Sequence, residues 1–182
     1  MPLLKAARKQ ATASCLITVA LMCVITARAQ DCSTIPPSVR AALKQMPGWR
    51  IVGLHDLLPD DQELWEKARP GLCPGIATGN FESSTPSYAM ALIKKVNGDR
   101  VEKLVLLTDR SGRVARIKTI VEPEKIISPL VVWSAPPGTY HDFDRTKEIK
   151  TARDSFVYEK LQSGARLYYV VKRRVYSLLI SD

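Results

Sequence analysis

The chain has 182 residues, with 27 Lys and Arg against 18 Asp and Glu, and a formal charge of +9 at pH 7. Four of those cations, Lys5, Arg8, Lys9 and Arg28, lie in residues 1–29, which hold no acid, so +9 less 4 leaves +5 on the other 153. That modest, mixed-sign balance excludes the dense basic footprint of a nucleic-acid binder, and the length suits one core.

Residues 1–29 read as an address. A basic start precedes an apolar run over residues 15–26, then Ala27-Arg28-Ala29, the small-x-small pattern that signal peptidase accepts. The run is shorter than the about 20 residues of a spanning helix. This predicts a secretory signal peptide cleaved near Ala29-Gln30. The mature chain, residues 30–182, is then a single β-rich domain with no membrane span. Cys15 and Cys23 leave with the signal. Cys32 and Cys73 remain in an oxidising compartment, secreted or periplasmic, where two cysteines allow one intramolecular bridge. That disulfide closes a loop of about 42 residues.

Residues 33–49 predict a short helix that starts at Pro36-Pro37, puts Val39, Leu43 and Met46 on one face and stops at Pro47-Gly48. Residues 49–57 read as a strand. Residues 58–71 read as a second helix, with acids in its first turn, Lys67 and Arg69 in its last, and Leu64 and Trp65 as apolar anchors. From there the period changes to two. Strands are predicted over 87–95, 101–108 and 113–121, joined by turns at Asn97-Gly98 and 109–112. Residues 122–140 carry Pro123, Pro129, Pro136 and Pro137 and read as a crossing loop with a short strand at 130–133. Three further strands follow, with turns at 162–164 and 172–174. The predicted fold is α+β: mainly an antiparallel β meander, curled into a half-barrel, with two short N-terminal helices.

Residues 71–93, GLCPGIATGNFESSTPSYAMALI, have the outline of a calcium-loop hairpin. Gly79, Asn80, Phe81, Glu82, Ser83, Ser84, Tyr88 and Ala89 follow the FG-GAP or VCBS-type loop, which this stretch resembles. With Cys73-Pro74-Gly75, Tyr168-Tyr169 and Ser181-Asp182, the chain also resembles a group of uncharacterised secreted bacterial single-domain proteins. That resemblance implies architecture and compartment more than activity. The loop departs from its pattern where a cation binds. Calcium takes about 6–8 oxygen ligands, several of them carboxylates, and here Asn80 and Ser84 stand where acids belong, leaving Glu82 as the one carboxylate. The loop is therefore read as a structural hairpin in which Phe81, Tyr88, Met90 and Leu92 pack.

Candidate chemistry is sparse. Residues 140–144, YHDFD, bring together His141, Asp142 and Asp144; in a strand the two acids share a face and the histidine takes the other. His55 precedes Asp56 in the same unfavourable relation, and that pair reads as a cap for the second helix. Residues 168–176, YYVVKRRVY, allow two readings. One is a hairpin whose Tyr and Val residues pack a sheet. The other is a binding face of Tyr168, Lys172, Arg173, Arg174 and Tyr176 for an anionic polymer. No nucleophile elbow and no phosphate-binding glycine loop occurs.

The sequence therefore predicts an exported, non-enzymatic binding domain with no cofactor. Its partner is another protein or an envelope polysaccharide, and an inhibitor of an extracellular enzyme, presenting residues 135–143 as a rigid loop, fits equally. The rival readings are a small hydrolase using His141 with Asp142 or Asp144, beside His55, and a weak metal-binding module.

Overall fold

The computed structural model describes Cys32 and residues 35–182; the expected signal peptide and its cleavage point lie outside the described residues. Helix α1 (Pro37–Lys44) starts at the proline pair and buries Val39 and Ala42. The strand expected over 49–57 shrinks to β1 (Arg50–Ile51). Beyond it the chain bends into a 3-10 turn, Leu54–Asp56, because the Asp56 carboxylate accepts the Gly53 N–H at 2.8 Å and both ends of the Arg50 guanidinium. Burial raises the Asp56 carboxyl, but the Arg50 and Gly53 hydrogen bonds and the Arg50 charge together hold it below the usual carboxylate range. Asp56 is thus spent on its own turn. It does not cap α2 (Pro59–Ala68), whose start has no side-chain cap. Helix α2 buries Trp65, but Leu64 points outward at 38% exposure, so only one of its two expected anchors holds.

Strand β2 (Ile76–Gly79), which period and propensity did not predict, pairs with β3 (Ser87–Val96). The meander continues through β4 (Asp99–Arg110) to β5 (Arg113–Lys125). Asn97 and Gly98 turn between β3 and β4 with φ of 51° and 88°, and Ser111 and Gly112 between β4 and β5 with 56° and 77°, the left-handed pair that suits a twisted hairpin. β1 and β2 lie end to end along one edge of β3. At their junction the Val52 N–H donates to Ala91 O and the Ala91 N–H to Gly75 O, both at 3.0 Å. A Cβ on Gly75 would sit 2.5 Å from Val52 O, so only glycine lets the two strands meet.

The crossing loop expected over 122–140 is largely strand. β5 runs on to Lys125, then come β6 (Val131–Ala135) and β7 (Gly138–His141), which forms a hairpin with β8 (Glu148–Thr151). β6 pairs with β9 (Ser155–Lys160), and β10 (Gly164–Val171) and β11 (Arg174–Ser181) complete a second antiparallel sheet in the order β11-β10-β9-β6.

The two sheets face each other across one core. Ala89, Ala91, Leu104 and Leu106 of the first meet Val132, Phe156, Tyr158 and Tyr168 of the second. α1 covers the outer face of the first sheet over Met90, Leu92, Val105 and Leu107. The β7–β8 hairpin covers the outer face of the second through Tyr140 and Ile149. β3 is therefore buried on both faces over residues 87–93. The cysteines are bridged, with Cα atoms 5.1 Å apart, inside the normal range. That staple fixes residue 32 beside the start of β2, against the Val52 carbonyl.

Candidate functional site

Only the first two residues of the YHDFD segment are strand. β7 ends at His141 and the chain turns over residues 142–145: the Asp142 carboxylate accepts the Thr146 hydroxyl (2.7 Å) and the Lys147 N–H (2.9 Å). Those bonds, the Lys147 N–H first, hold its acidity below the usual carboxylate range. Asp144 is exposed on the turn. His141 lies 3.7 Å from Glu148, across its own hairpin, and exposed His55 lies 3.9 Å from Asp56. Each histidine is thus engaged with a carboxylate of its own local element. The loop expected over 135–143 is partly strand β7: the Tyr140 hydroxyl donates to Pro136 O and its ring packs on the second sheet, while Pro136, Pro137, Thr139, His141 and Phe143 are exposed.

In the stretch 71–93, Phe81, Tyr88, Met90 and Leu92 are buried as expected. The Glu82 carboxylate is held by the Arg116 guanidinium and the Thr108 hydroxyl. Asn80 and Ser84 are exposed; the Asn80 N–H donates to the Asp154 carboxylate at 2.8 Å. Among the described residues no three His, Cys, Asp or Glu side chains cluster as metal ligands do.

The binding face expected over 168–176 divides. Tyr168 is core, 9% exposed and stacked on Phe156 with centroids 5.4 Å apart. Tyr176 is exposed and stacks on Tyr169. Lys172 and Arg173 form the β10–β11 turn with φ of 49° and 66°, and Arg174 follows, exposed. Two cavities flank that turn. One, of about 450 Å³, gathers Arg173 with Arg110, Arg116 and Glu82; the other, of about 330 Å³, gathers Lys172 with Lys150, Arg153 and Asp154. Four turns far apart in sequence thus converge at one end. The acids there are already engaged: Glu82 by Arg116, Asp154 by Asn80, and Asp109 by the Gly112 N–H at 2.7 Å. Arg110, Lys150, Arg153, Lys172 and Arg173 have no ion-pair partner among the described residues.

Two features escaped the sequence reading. The first is a cavity of about 450 Å³ between α2, β2, β6 and the disulfide. The Arg69 guanidinium lies there 4.0 Å from the centre of the Trp133 ring and 5.1 Å from that of Trp65. Burial lowers its basicity, against the opposing charge of Glu159. The second is Glu102, fully buried between the sheets, which accepts the Tyr158 hydroxyl at 2.6 Å and the Leu130 N–H at 3.1 Å. Burial pushes its carboxyl up to about 7, the negative charges of Glu124 and Asp56 add to this, and the two hydrogen bonds oppose it. The same burial, with Glu102 next to it, raises the Tyr158 phenol. The sequence carried a signal for Glu102: in a strand it shares a face with Leu104 and Leu106. No family model, curated protein or solved structure matches the chain.

Proposed function

We propose that the mature chain is an exported, non-catalytic binding domain whose cationic end engages an acidic envelope polysaccharide. The observation that carries this reading is the convergence of Arg110, Lys150, Arg153, Lys172 and Arg173, none with an ion-pair partner among the described residues, beside acids that accept bonds from Arg116, Gly112 and Asn80. Such a surface attracts a polyanion and is screened by salt. The backbone adds to the argument. A two-residue turn of left-handed geometry suits Asn-Gly, yet Lys172 and Arg173 occupy it, at about 1–2 kcal/mol each. Strain of that kind is held where it serves a function. Export rests on the signal-like residues 1–29 and on the Cys32–Cys73 bridge. The two sheets form one curled half-barrel in this reading, supported by the Val132 N–H to Pro74 O bond (2.7 Å) that links β6 to the segment before β2. An end of such a half-barrel naturally collects turns.

Polygalacturonate, neutral dextran and duplex DNA titrated against the mature protein test the proposal. Polygalacturonate should bind, and weaken steadily between about 0.05 M and about 0.5 M NaCl as the Debye length shrinks. The variant Lys172→Asn with Arg173→Gly should lose binding while its fold gains about 1–3 kcal/mol, the relief of strain at both residues less the freedom that glycine adds to the unfolded chain. Equal binding of dextran, tighter binding of DNA, or undiminished binding by this stabilised variant would each refute the reading.

A further inference from the structure

We infer that the cavity between α2, β2, β6 and the disulfide is a binding site for a small apolar carboxylate, with Arg69 as its anion receptor. The volume, about 450 Å³, falls in the range of small-ligand sites. The walls are mainly aliphatic and aromatic: Leu72, Ile76, Val132 and the Cys32–Cys73 bridge. Only a ligand with an apolar body fills such a space favourably.

The charge at its wall selects an anion. Arg69 has no hydrogen bond from its guanidinium and no ion pair among the described residues. The guanidinium carbon lies 4.0 Å from the centre of the Trp133 ring and 5.1 Å from that of Trp65, and the guanidinium edge has no hydrogen-bond partner among the described residues. That edge presents paired N–H donors spaced for the two oxygens of a carboxylate. Glu159, the acid whose charge acts on Arg69, makes no salt bridge with it and accepts the Trp133 indole N–H at 2.7 Å. A half-buried guanidinium that makes no hydrogen bond is costly, and a bound carboxylate offsets that penalty beyond what the charge of Glu159 supplies.

The site is also built in advance. The Trp65 indole donates to Leu72 O at 2.9 Å, and the Ser134 hydroxyl donates to Thr78 O at 2.8 Å, closing β6 onto β2. The disulfide pins the remaining wall. Little ordering remains for the ligand to impose, which favours affinity in a site this small. The site is independent of the cationic end, since none of its lining residues belongs to that end.

Calorimetric titration of the mature, oxidised protein with octanoate, octylammonium and acetate tests the inference. Octanoate should bind saturably with one site per chain. Acetate lacks the apolar body and octylammonium has the wrong charge, so each should bind at least about tenfold more weakly. Arg69→Met should weaken octanoate by about tenfold to a hundredfold, the loss expected of a charge-assisted pair, and Arg69→Lys should restore part of it. Melting curves of both variants should overlay the parent, separating lost binding from lost fold. Absence of saturable heat with octanoate, binding of octylammonium as tight as octanoate, or Arg69→Met within about twofold of the parent would each overturn the assignment.

Discussion

Replacing both Cys32 and Cys73 by alanine should lower the unfolding free energy by about 4 kcal/mol, chiefly by releasing the unfolded chain. The two cysteines are 41 residues apart in sequence, so the cross-link removes a large share of the open chain's freedom. A domain of this size has only about 5–15 kcal/mol of stability in all. Urea unfolding checks the point. The midpoint should fall, and the slope should rise because the unlinked chain exposes more surface. The bridge also fixes the segment that leads into α1, and α1 lids Met90, Leu92, Val105 and Leu107. The loss should therefore appear first as proteolytic opening before residue 50, ahead of the sheets. A double variant within about 1 kcal/mol of the parent would mean that packing alone holds that segment.

The second large effect belongs to Glu102. Its carboxyl titrates at about 7 in the fold against 4.5 as its ordinary value. An acid whose folded value is raised binds its proton more tightly folded than unfolded. Stability is then greatest below about 4.5, falls as pH rises between the two values, and levels off above about 7. The span corresponds to about 3 kcal/mol between pH 4 and pH 8. Burial dominates the rise, and Glu124 opposite on β5 and Asp56 on the 3-10 turn add to it by repelling its charge, while the Tyr158 and Leu130 hydrogen bonds oppose it. Asp56 itself contributes the opposite slope, because its folded value is lowered. Its contribution is present above its ordinary value and is lost as the pH falls through its lowered one. Denaturation of Glu102→Gln between pH 5 and 8 isolates the first effect, since glutamine keeps an acceptor for Tyr158 and Leu130 but cannot ionise. The variant should show a flat profile where the parent declines. Parallel profiles would show that Glu102 is not the group responsible.

What the sequence made legible was local. The meander of β3, β4 and β5 follows from alternation and from turns written as Asn97-Gly98 and Ser111-Gly112. The cysteine pairing followed because two thiols allow one bridge. The rest depended on partners distant in the chain. β2, β7 and β8 have four residues each and gain their strand character from the strands beside them. β1 ends early because Asp56 reaches back to Arg50 and Gly53, a competition that no period reports. In the cationic end only Lys172 and Arg173 are adjacent in sequence; Arg110 arrives at the end of β4, Lys150 on β8 and Arg153 on the turn after it. Arg69 reads as a helix-terminal charge until the fold sets Trp133 over it.

Strand β5 has a further consequence, for how the protein tolerates its own company. Among the described residues its outer edge pairs with no other strand, over 13 residues. An open edge of that length is a template on which a second copy could add a strand. Three irregularities interrupt its ladder with β4, near Glu102, Leu104 and Thr108. Pro123 offers no N–H, and Arg113, Arg116, Lys118, Glu122, Glu124 and Lys125 place charges along it. These are the devices that blunt edge-to-edge growth. The strand that lengthens the first sheet thus also carries, along its open edge, the features that oppose the addition of a further strand.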